Sequence, residues 1–81
     1  MPPASARSRD AARFGKVVNR LRREFGWTLE DFARESGMNS QYLGVLERGG
    51  NMPTLATILR LAETFGIEAA ELVRRFEQQD G

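Results

Sequence analysis

Within the stretch SQYLGVLER, from Ser40 to Arg48, lie residues whose groups bind better than they react. They are the Ser40 hydroxyl, the Gln41 amide, the Val45 methyls and the Arg48 guanidinium, with Gly44 leaving its backbone bare. If the stretch is helical, steps of 100° put Leu43 and Leu46 on the inward side, with Tyr42 at its edge. Gln41, Gly44, Val45 and Arg48 then share a face that the core does not use, and Ser40 is exposed at its N-terminal end. Such a set offers hydrogen bonds, a fixed positive charge and one apolar contact, which is the chemistry of recognition.

Catalysis has little to work with in this chain. There is no cysteine and no histidine, which removes disulfides, thiolate metal sites, cysteine nucleophiles and the commonest general base. No catalytic residue, metal ligand or cofactor site is expected. The 81 residues suffice for one small domain if most of the apolar side chains converge. No run approaches the roughly 20 apolar residues that span a bilayer, and MPPASARSRDAAR lacks the apolar core of a signal peptide, so a cytoplasmic location is expected. The net charge of +1 conceals a polarity: residues 1–26 carry seven Arg or Lys against Asp10 and Glu24, and residues 27–81 carry five against nine acids. A basic side of this kind suits phosphate.

Helical periodicity accounts for nearly all of the chain. Residues 1–9 read as a flexible basic tail and 10–78 as the folded domain. From Ser8 or Asp10, either of which can cap, Phe14, Val17, Val18, Leu21 and Phe25 recur at three- and four-residue steps up to Gly26. Thr28 and Asp31 form a near capping box ahead of the stripe Leu29, Phe32, Ala33 and Ser36, and Gly37 ends that helix. Asn39 or Ser40 caps the third helix, which runs to Glu47 or Arg48. Thr54 caps a fourth with Leu55, Ile58, Leu59, Ala62 and Phe65 inward and Leu61 at the edge, closed by Gly66. Ala69, Leu72, Val73 and Phe76 define a short fifth. No strand pattern or internal repeat competes, so the class is all-α.

Helices two and three are separated by little more than Gly37 and Met38, the short glycine-containing turn of a DNA-binding helix-turn-helix. Leu21, Arg22, GWTLEDFARESGMNSQYLGVLERG and MPTLATILRLAETFGI together resemble the Cro/C1-type (XRE) helix-turn-helix regulators over roughly residues 14–73. Gly26, Phe32, Ala33, Gly37, Leu43, Leu46, Glu47, Gly49, Pro53 and the run Arg60 to Glu63 stand at that family's spacings.

The resemblance implies a five-helix, lambda-repressor-like domain whose third helix enters the major groove while the second crosses the backbone. On that footing Ser40, Gln41, Gly44 and Val45 are the base readers: Gln41 could pair with adenine and Val45 could meet a thymine methyl. Gly44 stands where the family often has Ser, either for close backbone approach or as a tolerated surface glycine. Phosphate contacts are expected from Thr28, Asn39, Arg48 and Asn51. Leu29, where the family often has Gln, is expected in the core, as is Trp27. Arg22 and Glu47 occupy positions that are often an ion pair in the family and are assigned to orienting helix three.

Paired half-sites imply a homodimer, for which Leu72, Val73 and Phe76 are the expected interface, on the ground that so short a chain can hardly cover them. Arg7, Arg9 and Arg13 are expected to extend along double-stranded DNA as an arm. The resulting reading is a small transcriptional regulator like restriction-modification controllers or phage-type repressors. Its alternative is an antitoxin-like module on the same fold, with a protein partner such as a toxin.

Overall fold

A computed structural model describes residues 4–80, with side chains from residue 8 onward. It contains α1 (Ala4–Glu24), α2 (Leu29–Ser36), α3 (Ser40–Glu47), α4 (Leu55–Phe65) and α5 (Ala69–Gln78), with no strand among the described residues. None of these helices is long and apolar enough to cross a membrane.

The boundaries follow local chemistry. The Thr28 hydroxyl accepts from the Asp31 amide at 3.0 Å and the Asp31 carboxylate accepts from the Thr28 amide at 3.0 Å, a complete capping box. Asn39, not Ser40, caps α3, its side-chain oxygen accepting from the amides of Gln41 (2.8 Å) and Tyr42 (3.1 Å). Thr54 caps α4. Gly37 takes the left-handed conformation at φ 72°, where a side chain would strain the backbone, and turns the chain from α2 into α3.

Two boundaries or faces differ from expectation. α1 begins at Ala4, inside the segment read as a tail, because Ala4 to Arg13 is rich in alanine and arginine, both strong helix formers. On α4 the inward residues are Leu61, Ala62 and Phe65, while Leu55 and Leu59 are 70% and 52% exposed. The apolar stripe on that helix is wider than the core it meets, and sequence periodicity alone does not say which edge is left uncovered.

The core joins Phe14, Val17, Val18 and Leu21 of α1 to Phe32, Leu43, Leu46, Leu61, Phe65 and Leu72 from the other four helices. Phe25 lies past the end of α1 and is half exposed, with its ring 4.5 Å from Trp27 and 5.6 Å from Phe65. Trp27 is partly buried among Phe32 and Phe65, the packing role expected of it.

Candidate nucleic-acid interface

The candidate interface is built on α3, whose buried side is supplied by Leu43 and Leu46. Its free side forms a shallow concavity of about 460 Å³ lined by Ser40, Gln41, Gly44, Val45 and Arg48, together with Leu29 and Glu30 from the start of α2. The structure thus brings the four expected base readers and Arg48 to one place. Gln41 is exposed at its edge, with its backbone amide committed to the Asn39 cap.

Gly44 does not stand open as expected. It is buried: a side-chain carbon there would lie 3.2 Å from the Arg48 guanidinium and 3.6 Å from the Leu29 methyl. Leu29, at the start of α2, and the end of the Arg48 side chain both lie against this point of α3, leaving room for little more than a methyl group. Leu29 therefore packs against the core, as expected, and also floors the concavity. Val45 is half-buried, its carbonyl accepting from the Gly50 amide at 2.9 Å. Its methyl lies so close to Gly50 that a side-chain carbon there would be 2.6 Å away. Part of Val45 is therefore spent on the following loop, and the rest faces the concavity.

Thr28, Asn39 and Asn51 are exposed but outside that lining. Capping uses an acceptor oxygen of Thr28 and of Asn39, leaving the hydroxyl proton and the amide NH2 as donors, which is what a phosphate oxygen requires. The Asp31 carboxylate sits at the N-terminus of α2. Its bond from the Thr28 backbone, and then its bond from Arg34, hold its pKa below the usual carboxylate range. Glu30 is a carboxylate that the sequence reading did not place on this face. Its signal was its position in the first turn of α2, where an acid complements the helix dipole.

The C-terminal end of α3 is held by a partly buried network. Arg22 donates from Nε to Glu47 Oε2 at 2.7 Å, from Nη2 to Oε1 at 3.0 Å, and from Nη1 to the Trp27 carbonyl at 2.7 Å. The hydrogen bond to Glu47 raises the Arg22 pKa. Asn19 adds a bond to Glu47 Oε1 at 2.8 Å. The Arg22–Glu47 pair has the orienting geometry expected of it. Asn19 was missed, although its place one turn before Arg22 puts it on the same side of α1.

Two further assignments are corrected. Arg13 is no arm: it donates to the carbonyls of Gln79 (2.8 Å), Phe76 (3.0 Å) and Glu77 (3.1 Å), and its guanidinium stacks 4.7 Å from the Phe76 ring. It closes the end of α5, where free carbonyls and the dipole favour a cation. Arg7's side chain lies outside the described residues, and Arg9 is exposed. Leu72 is fully buried in the monomer, and Phe76 packs edge-on against Phe14 with centroids 6.1 Å apart. Of the expected dimer residues Leu72 is therefore unavailable, while Val73, 38% exposed, and the partly buried Phe76 keep some surface, because α5 closes over α1 and α4 more completely than the chain's length suggested.

The helix-turn-helix family model matches residues 18–72, from the middle of α1 into α5. The chain belongs to this family. It is 48% identical over 59 residues to an uncharacterized HTH-type transcriptional regulator, y4dJ, of Sinorhizobium fredii, covering 73% of this chain and 77% of the relative. It is 35% identical over 63 residues to another such regulator, YazB of Bacillus subtilis, covering 78% and 91%. Among solved structures it resembles the restriction-modification controller protein C.AhdI of Aeromonas hydrophila, with a TM-score of 0.73 and 38% identity, covering 78% of this chain and 96% of the controller. Residues 18–72 take in both elements of the interface and the Arg22–Glu47 clamp.

Proposed function

We propose that this chain is a sequence-specific DNA-binding transcriptional regulator that reads an operator with α3 in the major groove. The observation that carries the proposal is the concavity on the free side of α3, where Ser40, Gln41 and Val45 stand together beside Arg48. Gln41 supplies the paired donor and acceptor that fit adenine, Ser40 a hydroxyl that several bases accept, and Val45 an apolar surface for a thymine methyl. Thr28, Asn39, Arg48 and Asn51 contact phosphates around them, setting register without reading sequence. The names of the chain's relatives agree with a regulatory role. No step in this activity calls on a cofactor or on catalysis.

One such helix reads few base pairs, so the working unit is a homodimer on paired half-sites. The face proposed for it is Met52, Leu55 and Leu59, with Leu55 and Leu59 one turn apart on α4 and all three exposed. Met52 lies in the loop that joins α3 to α4, and Leu55 and Leu59 follow it on α4, so this face is next in the chain to the proposed reading helix.

Selection of bound duplexes from a random pool tests the reading. An enriched, two-fold symmetric site is expected, with affinity falling steeply with salt by about −0.9 in log-log slope per phosphate neutralised. A pool that shows no enrichment, or a flat salt response, refutes it. Sedimentation of Leu55→Glu as a monomer, with wild type dimeric, supports the α4 face; a dimeric variant refutes that face.

A further inference from the structure

Glycine is unfavourable inside a helix, yet Gly15 lies in the middle of the 21-residue α1. A side-chain carbon at that position would lie 2.5 Å from the Leu46 carbonyl oxygen, 2.6 Å from that of Glu47 and 2.9 Å from the Glu47 carbonyl carbon. All three are backbone atoms of α3, so no side-chain rotation relieves the contact. One turn earlier on α1, Ala12 meets the left-handed Gly49, where an added carbon would be 2.8 Å from the Ala12 Cα. One and two turns later come Asn19 and Arg22, both bonded to Glu47. Residues 12, 15, 19 and 22 follow steps of three and four and lie along one side of α1. Two small residues therefore let backbone touch backbone, and two polar ones grip the same last turn of α3.

We propose that Gly15 is a positioning residue for base reading: without a side chain it lets the end of α3 seat directly on α1, which fixes how far Gln41 and Val45 project. This inference rests on the proposed DNA-reading function. Ordinary carbon contacts begin near about 3.5 Å, so an added methyl at position 15 must open the seam by about 1 Å. A binding constellation tolerates about 0.5 Å. α3 has eight residues and is packed through Leu43 and Leu46, so it moves as a unit and carries its free face with it.

The test compares Gly15→Ala with Leu72→Ala, a core truncation on α5 and so on neither helix of this seam, each assayed the same interval below its own melting midpoint. The readout is the ratio of affinities for the selected duplex and a scrambled one. Gly15→Ala is expected to keep its helical circular dichroism and its scrambled-duplex affinity while the ratio falls by about tenfold or more, comparable to losing one paired base contact. Leu72→Ala is expected to keep the ratio. If Gly15→Ala discriminates as wild type does, or if both variants lose the ratio alike, Gly15 is not a positioning residue although DNA reading stands. If wild type itself selects no sequence, both proposals fail. Should Gly15→Ala not fold, Asn19→Ala takes its place, since it loosens the same seam without adding atoms. A reduced ratio there supports the seam's role, and an unchanged ratio overturns it.

Discussion

The two ends of α3 are held in different ways. At its C-terminal end Glu47 receives three side-chain bonds from Arg22 and Asn19, and the carbonyls of Leu46 and Glu47 rest on Gly15. At its N-terminal end Tyr42 and Leu43 pack into the core, but the side-chain hydrogen bonds described there are local, Asn39 bonded to two amides of the first turn, with Gln41 exposed beside it. One end is tied to α1 by polar side chains and by backbone contact, while the other is anchored by apolar packing alone and keeps an exposed polar side. A reading helix needs both conditions, because a face that has spent its groups on the protein has none left for a base, and a face without an anchor cannot hold register.

Substitutions at the two ends should therefore separate stability from recognition. Glu47→Ala leaves the partly buried Arg22 without its carboxylate partner, holding only its bond to the Trp27 carbonyl, and should destabilise the domain by about 1.5 to 3 kcal/mol, read as a clear fall in melting temperature. A small fall would mean that the clamped end is not clamped. Gln41→Ala should leave the melting temperature nearly unchanged and relax base preference at one position per half-site by about 1 to 3 kcal/mol, read by binding to single-base operator variants. A marked loss of stability with preference intact would place Gln41 in the fold and erase the contrast.

Smaller changes sharpen the comparison. Asn39→Ala removes the local cap and should lower stability by about 1 kcal/mol in thermal denaturation, less than the Glu47 variant. Gly44→Ala should raise the melting temperature modestly, since alanine is favoured over glycine in a helix by up to about 1 kcal/mol and only the flexible end of Arg48 must yield by a few tenths of an ångström. If that variant is stabilised but loses base preference, DNA approaches the α3 backbone at Gly44.

Acid should act on α2 before α3. The Asp31 pKa is depressed in the folded state, so its contribution is present above the usual carboxylate pKa and is lost as pH falls through the depressed value. Asn39 does not titrate. Amide exchange at the start of α2 should accordingly quicken with acidification before it does at the start of α3, and Asp31→Asn should remove that difference.

Local physics made much of this molecule readable in its sequence. The caps at Thr28, Asn39 and Thr54 and the left-handed turns at Gly37 and Gly66 depend on residues within one helical turn of one another. The inward placement of Phe14, Val18, Leu43 and Leu46 followed from helical period alone, and the Arg22–Glu47 pair from family spacing. The absence of histidine and cysteine needed no structure to direct attention from catalysis to binding.

Only the tertiary structure decided where contacts distant in sequence fall. Periodicity marks an apolar stripe but not how much of it a neighbour covers, so Leu72 was expected outside and is buried, while Leu55 and Leu59 were expected inside and are exposed. Charge marks a cation but not its partner, so Arg13, taken for a DNA arm, closes a helix more than sixty residues away. A glycine in the sequence carries no sign of what approaches it: Gly44 lies beside Leu29 from one helix away, and Gly15 receives the backbone of α3 itself. In each case the deciding quantity is the distance between elements, which is set when five short helices close on one core and is carried by no single segment.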